Sequence, residues 1–181
     1  MPPLDDSGAT AWPPATLRTA RLTLRAMRPA DRPAVIDLLA SPEVRRFLGG
    51  AADREELEKE LPQDPSHSPG RFVVDEGGAM IGSVVLERRD SARPGRAPGS
   101  STAPIELSYE LLPRCWGQGL AYEACTAVLD WAAAELPGEP IVVCTQTANE
   151  PSLRLASRLG FVEVERFEEF GAEQWFGVLM R

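Results

Sequence analysis

Between Leu111 and Ala124 the chain reads LLPRCWGQGLAYEA: an apolar run, two glycines one residue apart, then apolar residues at helical spacing. A strand that enters a glycine turn and leaves it as a helix aims the helix's first free N–H groups, roughly half a positive charge, at one point. Gly117 and Gly119 lack a Cβ, so the backbone there can bend sharply and approach oxygen atoms closely, while Arg114 adds a permanent charge. This is the chemistry of an anion cradle. Which anion is open at this level. A dinucleotide fingerprint needs a third glycine where Tyr122 stands, and a phosphate-loop NTPase needs a lysine. The only lysine is Lys59, inside the charged run REELEKE. What is present is RxxGxGxA, Arg114 to Ala121, and a tight strand-to-helix turn with no ligand would use the same residues.

Other chemistries are poorly served. The three cysteines, Cys115, Cys125 and Cys144, have no CxxC spacing, and the single histidine, His67, lies in the turn-like PQDPSHSPG. Disulfide frameworks and zinc sites are therefore not expected, and a reducing cytoplasm fits the thiols. Serine-hydrolase chemistry lacks both a GxSxG and a base other than His67. A net charge of −8 disfavours duplex nucleic acid and modestly favours cationic partners such as amines. No apolar run approaches the roughly 20 residues that span a bilayer, so no membrane partner is expected. Residues 1–17 read as a flexible Pro-rich leader without the features of a secretory signal, and 18–181 as one domain, present as monomer or homodimer.

The elements that must carry the glycine turn follow from periodicity. RLTLRAM alternates as a half-buried strand. Helices are expected from about Asp31 to Ala40, over PEVRRFL, and over ADREELEKEL. RFVVDEGGAMIGSVVLERR reads as a hairpin about Gly77-Gly78, and 90–103, rich in Pro, Gly, Ser and Arg, as a long flexible connection. PIELSYELLP is a strand presenting Ile105, Leu107, Tyr109 and Leu111 on one face and Glu106, Ser108 and Glu110 on the other. A helix from Leu120 to Pro137, the buried strand IVVCT, a helix from Glu150 to Leu159, and two closing strands around Gly171 complete an α/β (α+β) chain.

TARLTLRAMRPADRPAVIDLL, ELSYELLPRCWGQGLAYEA and NEPSLRLASRLGFVEVE resemble, in order, the GNAT superfamily of acyl-CoA-dependent N-acyltransferases, in the branch that includes ribosomal-protein N-terminal (alanine/serine) acetyltransferases. The resemblance spans nearly everything from Thr19 to Arg181. It implies a mixed, mostly antiparallel sheet of six to seven strands, splayed at a central parallel pair and flanked by about four helices. It further implies acetyl-CoA as co-substrate, no metal, and direct attack by a primary amine in a ternary complex. The acceptor would be a cationic small molecule or a protein N-terminus. The segment Arg114, Trp116, Gly117, Gln118, Gly119, Leu120 and Ala121 would surround the coenzyme A pyrophosphate. Leu111 and Leu112 would pair with the pantetheine arm, and Asn149 and Ser152 would reach it from the next strand.

An alkyl amine titrates near ~10 and must lose its proton before attack. The carboxylate row on the central strand supplies a base, with Glu106 the first choice. A backbone N–H near Leu111 would hold the oxyanion. Many family members protonate the departing thiolate with a tyrosine four residues before the Gly-Phe pair; Ala156 stands there, and Ser152 is the hydroxyl this branch carries. The missing tyrosine leaves an alternative, a catalytically weak acyl-CoA-binding or regulatory module.

Overall fold

The computed structural model describes residues 16–66, 69–99 and 102–179; the expected leader, save its last two residues, and His67 lie outside the described residues. The strands are β1 (Leu17–Arg18), β2 (Thr23–Arg25), β3 (Arg71–Glu76), β4 (Ala79–Arg88), β5 (Ile105–Leu111), β6 (Ile141–Gln146), β7 (Phe161–Glu169) and β8 (Ala172–Leu179). The helices are α1 (Arg32–Ala40), α2 (Pro42–Arg45), α3 (Arg54–Glu60), α4 (Leu120–Glu135) and α5 (Glu150–Leu159). All eight strands form one sheet in the order β1-β2-β3-β4-β5-β6-β8-β7. Among the described residues only the central pair, β5 with β6, is parallel. The strand beyond the expected six or seven is β1, whose two residues are too short to show alternation.

Strand alternation divides the core in two. Phe72 and Val74 of β3 join Leu24, Leu107, Leu120, Val128 and Leu129 in the main cluster, beneath α4, with Phe72 edge-on to Trp131. Val73, between them, faces the other side, with Leu38 of α1, Val44 of α2, and Leu112. Each such side chain buried contributes ~1.5–3 kcal/mol, which is what holds helices on both faces of the sheet. A buried ion-pair network anchors the α1 side. Arg25 donates to Asp31 at 2.7 and 2.8 Å and to Asp75 at 2.7 Å, and all three are nearly inaccessible.

The connection between β4 and β5 departs from its expected flexibility. Arg93 donates to Glu169 at 2.7 Å, Arg89 donates to the Pro94 carbonyl at 2.7 Å, and Ala97 is buried with Val142 and Phe176. Its Gly95 lies against Phe176 so closely that an added Cβ would sit 2.8 Å from the ring. The composition that suggests mobility includes Arg93, which ties the segment to the β7–β8 hairpin, and Arg96, which donates to carbonyls within the segment.

Candidate active site

β5 and β6 pair only at Ile105 with Ile141 and Glu106 with Val142; beyond that they diverge. β4 stays paired along the whole of β5, and the Leu112 amide donates to Ile81 at 2.8 Å. Antiparallel alternation then turns the Tyr109 and Leu111 amides away from β4, toward the gap that β6 vacates. The Leu111 carbonyl on that side accepts from the Trp116 indole at 2.7 Å. The gap is a cavity of about 870 Å³, with walls from both strands, the α2 segment, and the first turns of α4 and α5.

The glycine turn forms one end of it. Gly117 and Gly119 have φ of 72° and 77°, the left-handed region that side chains resist, which is why glycine stands at both places. Gly119 caps α4 without a side-chain hydrogen bond, and the ladder begins only at Glu123 N–H to the Gly119 carbonyl. The Leu120, Ala121 and Tyr122 amides therefore have no partner within the helix and aim at the cavity's end. Arg21, 97 positions earlier, braces the turn by donating to the Gln118 carbonyl at 2.9 Å, while Gln118 donates to the Arg114 carbonyl at 2.9 Å. Arg21 also binds Glu123 at 2.7 Å. Burial would raise the Glu123 carboxyl, but hydrogen bonds from Thr19 and Arg21 overrule it and hold it below its ordinary range. The acid in the first turn is thus neutralised where an anion would sit.

Across the gap, Asn149 caps α5, accepting from the Ser152 amide at 3.4 Å and donating to Thr145 Oγ1 at 3.3 Å. Ser152 accepts from the Tyr109 phenol at 3.0 Å, a contact that joins β5 to α5 where β6 has turned away. Burial pushes the Tyr109 phenol well above its usual range, so it stays protonated and donates. In the sequence Tyr109 is one of an apolar row, and the signal that sets it apart is that a phenol in such a row needs a partner. Ala156, one turn along α5, is fully buried.

Of the sequence candidates, Leu111, Trp116, Gly117, Gly119, Leu120, Ala121, Asn149 and Ser152 line the cavity. Leu112, Arg114 and Gln118 do not: Leu112 packs into the α1-side cluster, and Arg114 and Gln118 lie exposed beside the turn. Glu106 does not line it either. Its carboxylate lies at the closed, paired end of β5, bound to the buried Arg89 and 3.5 Å from Arg93. The carboxylate on the wall is Glu110, held more loosely by Arg71 at 3.4 Å and Arg45 at 3.9 Å. Cys144 faces the same space, and burial raises its thiol to about 11.

With this geometry in view, similarity to known proteins is specific. The model of the acetyltransferase (GNAT) domain family matches residues 21–162. An uncharacterized N-acetyltransferase, p20, of Bacillus licheniformis is 27% identical over 154 residues, covering 81% of this chain and 82% of that protein. The acetyltransferase of Agrobacterium tumefaciens C58 superposes with a TM-score of 0.71 at 26% identity, covering 95% and 98% of the two chains. RimL, a ribosomal L7/L12 alpha-N-protein acetyltransferase, shares the fold at a TM-score of 0.66 and 15% identity, covering 90% and 96%, in a structure that holds coenzyme A disulfide-bonded to one of its own cysteines. A glycine turn at an uncapped helix, set beside a parallel strand pair that parts after two residues, together with a family match over most of the length, shows that this chain belongs to the GNAT acetyltransferases.

Proposed function

We propose that the protein transfers the acetyl group of acetyl-CoA to a primary amine by direct attack in a ternary complex. The observation that carries this reading is the gap between β5 and β6, with amides from one wall pointing into it and a helix N-terminus at its end. The pyrophosphate would rest on the amides from Gly117 to Ala121, including Gln118, with Arg114 supplying charge from outside. The pantetheine arm would run along Tyr109 and Leu111, whose amides face the gap, toward Asn149; the expected Leu112 is turned away from it. The thioester carbonyl would meet the Leu111 amide, a donor worth ~3 kcal/mol as the oxyanion forms.

The incoming amine is mostly protonated at neutral pH and needs a base on the polar face of β5. We assign that role to Glu110, on the cavity wall, in place of the expected Glu106, which does not line the cavity and is bound closely by the buried Arg89. The acceptor class proposed is a cationic small molecule or a protein N-terminus, the latter in keeping with the named substrate of RimL.

The test is thiol release from acetyl-CoA across a panel of amines and short peptides with free N-termini. Turnover with at least one is expected, and Glu110→Gln should lower kcat/KM by ~10² or more, while Glu106→Gln should lower it far less. The second reading, a coenzyme A-binding module, is favoured by the alanine at 156. It predicts tight coenzyme A binding by calorimetry with no turnover of any amine.

A further inference from the structure

Ser152 lines the cavity beside the divergent end of β5, and Tyr109 is its partner from the opposite wall. A serine hydroxyl has one hydrogen to give and two lone pairs with which to accept. Here one lone pair takes the Tyr109 phenol at 3.0 Å, and the phenol lies 3.4 Å from the Ser152 carbonyl as well. The Ser152 amide is engaged by Asn149, which fixes the first turn of α5. With one lone pair filled by the phenol, the hydroxyl still has its hydrogen to give, and the Ser152 side chain that carries it lines the cavity.

We infer that Tyr109 is a positioning residue for acetyl transfer, orienting the Ser152 hydroxyl so that it donates a hydrogen bond to the sulfur of the departing coenzyme A. This rests on the acetyl-transfer reading above. The amine nitrogen's lone pair forms the new N–C bond, and the C–S bond breaks with its electron pair on sulfur. The ammonium gives one proton to the base, which passes it to solvent before attack, and the nitrogen gives its second to the base once the N–C bond has formed; the thiolate leaves as an anion stabilised by the Ser152 O–H. No proton has to cross from tyrosine to sulfur; the phenol stays protonated and polarises the serine. The phenol comes from a strand, so it reaches the first turn of α5 without occupying the buried position of Ala156.

The test compares two acetyl donors: acetyl-CoA, whose thiol leaves with a pKa near ~8.5, and the acetyl thioester of a nitro-substituted benzenethiol, whose thiolate needs far less stabilisation. With acetyl-CoA, Tyr109→Phe and Ser152→Ala should each lower kcat roughly tenfold with KM for acetyl-CoA unchanged, as loss of one hydrogen bond predicts. With the activated donor both variants should fall within about twofold of the unaltered chain. The double variant should be no slower than Ser152→Ala, because the tyrosine acts only through the serine. Tyr109→Phe keeps the ring, so packing is preserved. Equal losses with both donors would show that the phenol merely holds the walls together, and the inference falls. It falls equally if Tyr109→Phe matches the unaltered chain with acetyl-CoA. An unaltered chain that binds coenzyme A yet acetylates no amine overturns the acetyl-transfer reading itself, and this inference with it.

Discussion

Gly82 offers a direct test of the link between the sheet and the chemistry. It pairs with Leu111, and a Cβ built on it would lie 2.2 Å from the Glu110 carbonyl oxygen and 2.8 Å from the Leu111 Cα. Ordinary contact begins at 3.4 Å, so Gly82→Ala requires the two strands to part by about 1.2 Å, the difference between 3.4 and 2.2. Both obstructing atoms are backbone, so no side-chain rotation relieves the clash. The Leu112 to Ile81 hydrogen bond, 2.8 Å long, lies in the same stretch and has to lengthen. Overpacking of this kind costs about 1–3 kcal/mol, or roughly 2–4 °C of Tm per kcal/mol for a chain of this size. The effect on rate should be larger than the effect on stability. The displaced residues present the Leu111 amide and the Glu110 carboxylate, and a misplacement of about 1 Å at reacting groups can cost ~10² in rate. Thermal unfolding followed by circular dichroism, with steady-state kinetics at 25 °C, would separate the two effects. A Gly82→Ala protein with unaltered Tm and unaltered kcat/KM would refute the close approach of β4 to β5 and the placement of the chemistry at Leu111.

Arg21→Met should weaken coenzyme A binding about fivefold by calorimetry, since one charge-assisted hydrogen bond to the glycine turn is lost. Its stability change should stay below ~1 kcal/mol, because the Arg21 side chain is 47% exposed. Asp31→Asn leaves the buried Arg25 short of a partner and should cost about 3–5 kcal/mol in denaturant unfolding. In the unaltered chain, burial raises the Asp31 carboxyl, but the Arg25 and Arg28 hydrogen bonds outweigh it and leave it below its ordinary value. The stability it contributes is therefore complete above about pH 4 and is lost as pH falls through the lower folded value, so acid melts should steepen below about pH 4, and Asp31→Asn should lack that component. Cys144, with a thiol raised to about 11, should carry about 0.1% thiolate at pH 8 and react with iodoacetamide tenfold faster per pH unit toward 11; rapid labelling at pH 7 would contradict a thiol raised that far.

How far the site could be read from the sequence depended on whether its signal was local. The glycine turn was legible because φ-restricted glycines, a following helical stripe and an Arg lie within eight consecutive residues, and each constrains the others. Asn149 and Ser152 were legible for the same reason, as a cap and its first turn. Alternation likewise identified the polar face of β5 without saying which of its carboxylates met the cavity. That depended on where pairing with β6 stops, after Glu106, on Arg89 at the end of the hairpin segment, and on Arg93, which reaches Glu106 from a connection whose composition suggests mobility. Arg21 and Tyr109 were hidden differently. Arg21 reaches a loop 97 positions away, and Tyr109 looks like one more apolar-face residue until α5 brings Ser152 to its hydroxyl.

The contrast between the two β5 carboxylates follows from the splay. At Glu106 the sheet is continuous on both sides, and the carboxylate can be stable there only with a close, buried cation. At Glu110 the neighbour strand has left, and the nearest guanidinium groups stand at 3.4 and 3.9 Å, at the outer limit of a contact, beside an open cavity. A carboxylate fully engaged by a cation gains little by taking a proton from a substrate; one loosely held at an opening can exchange a distant arginine for an incoming ammonium. The divergence that would make room for a thioester under the proposed function also puts this carboxylate on the cavity wall. Exchanging the two environments, by lengthening the β5–β6 pairing toward Glu110, should remove both the binding gap and the base together.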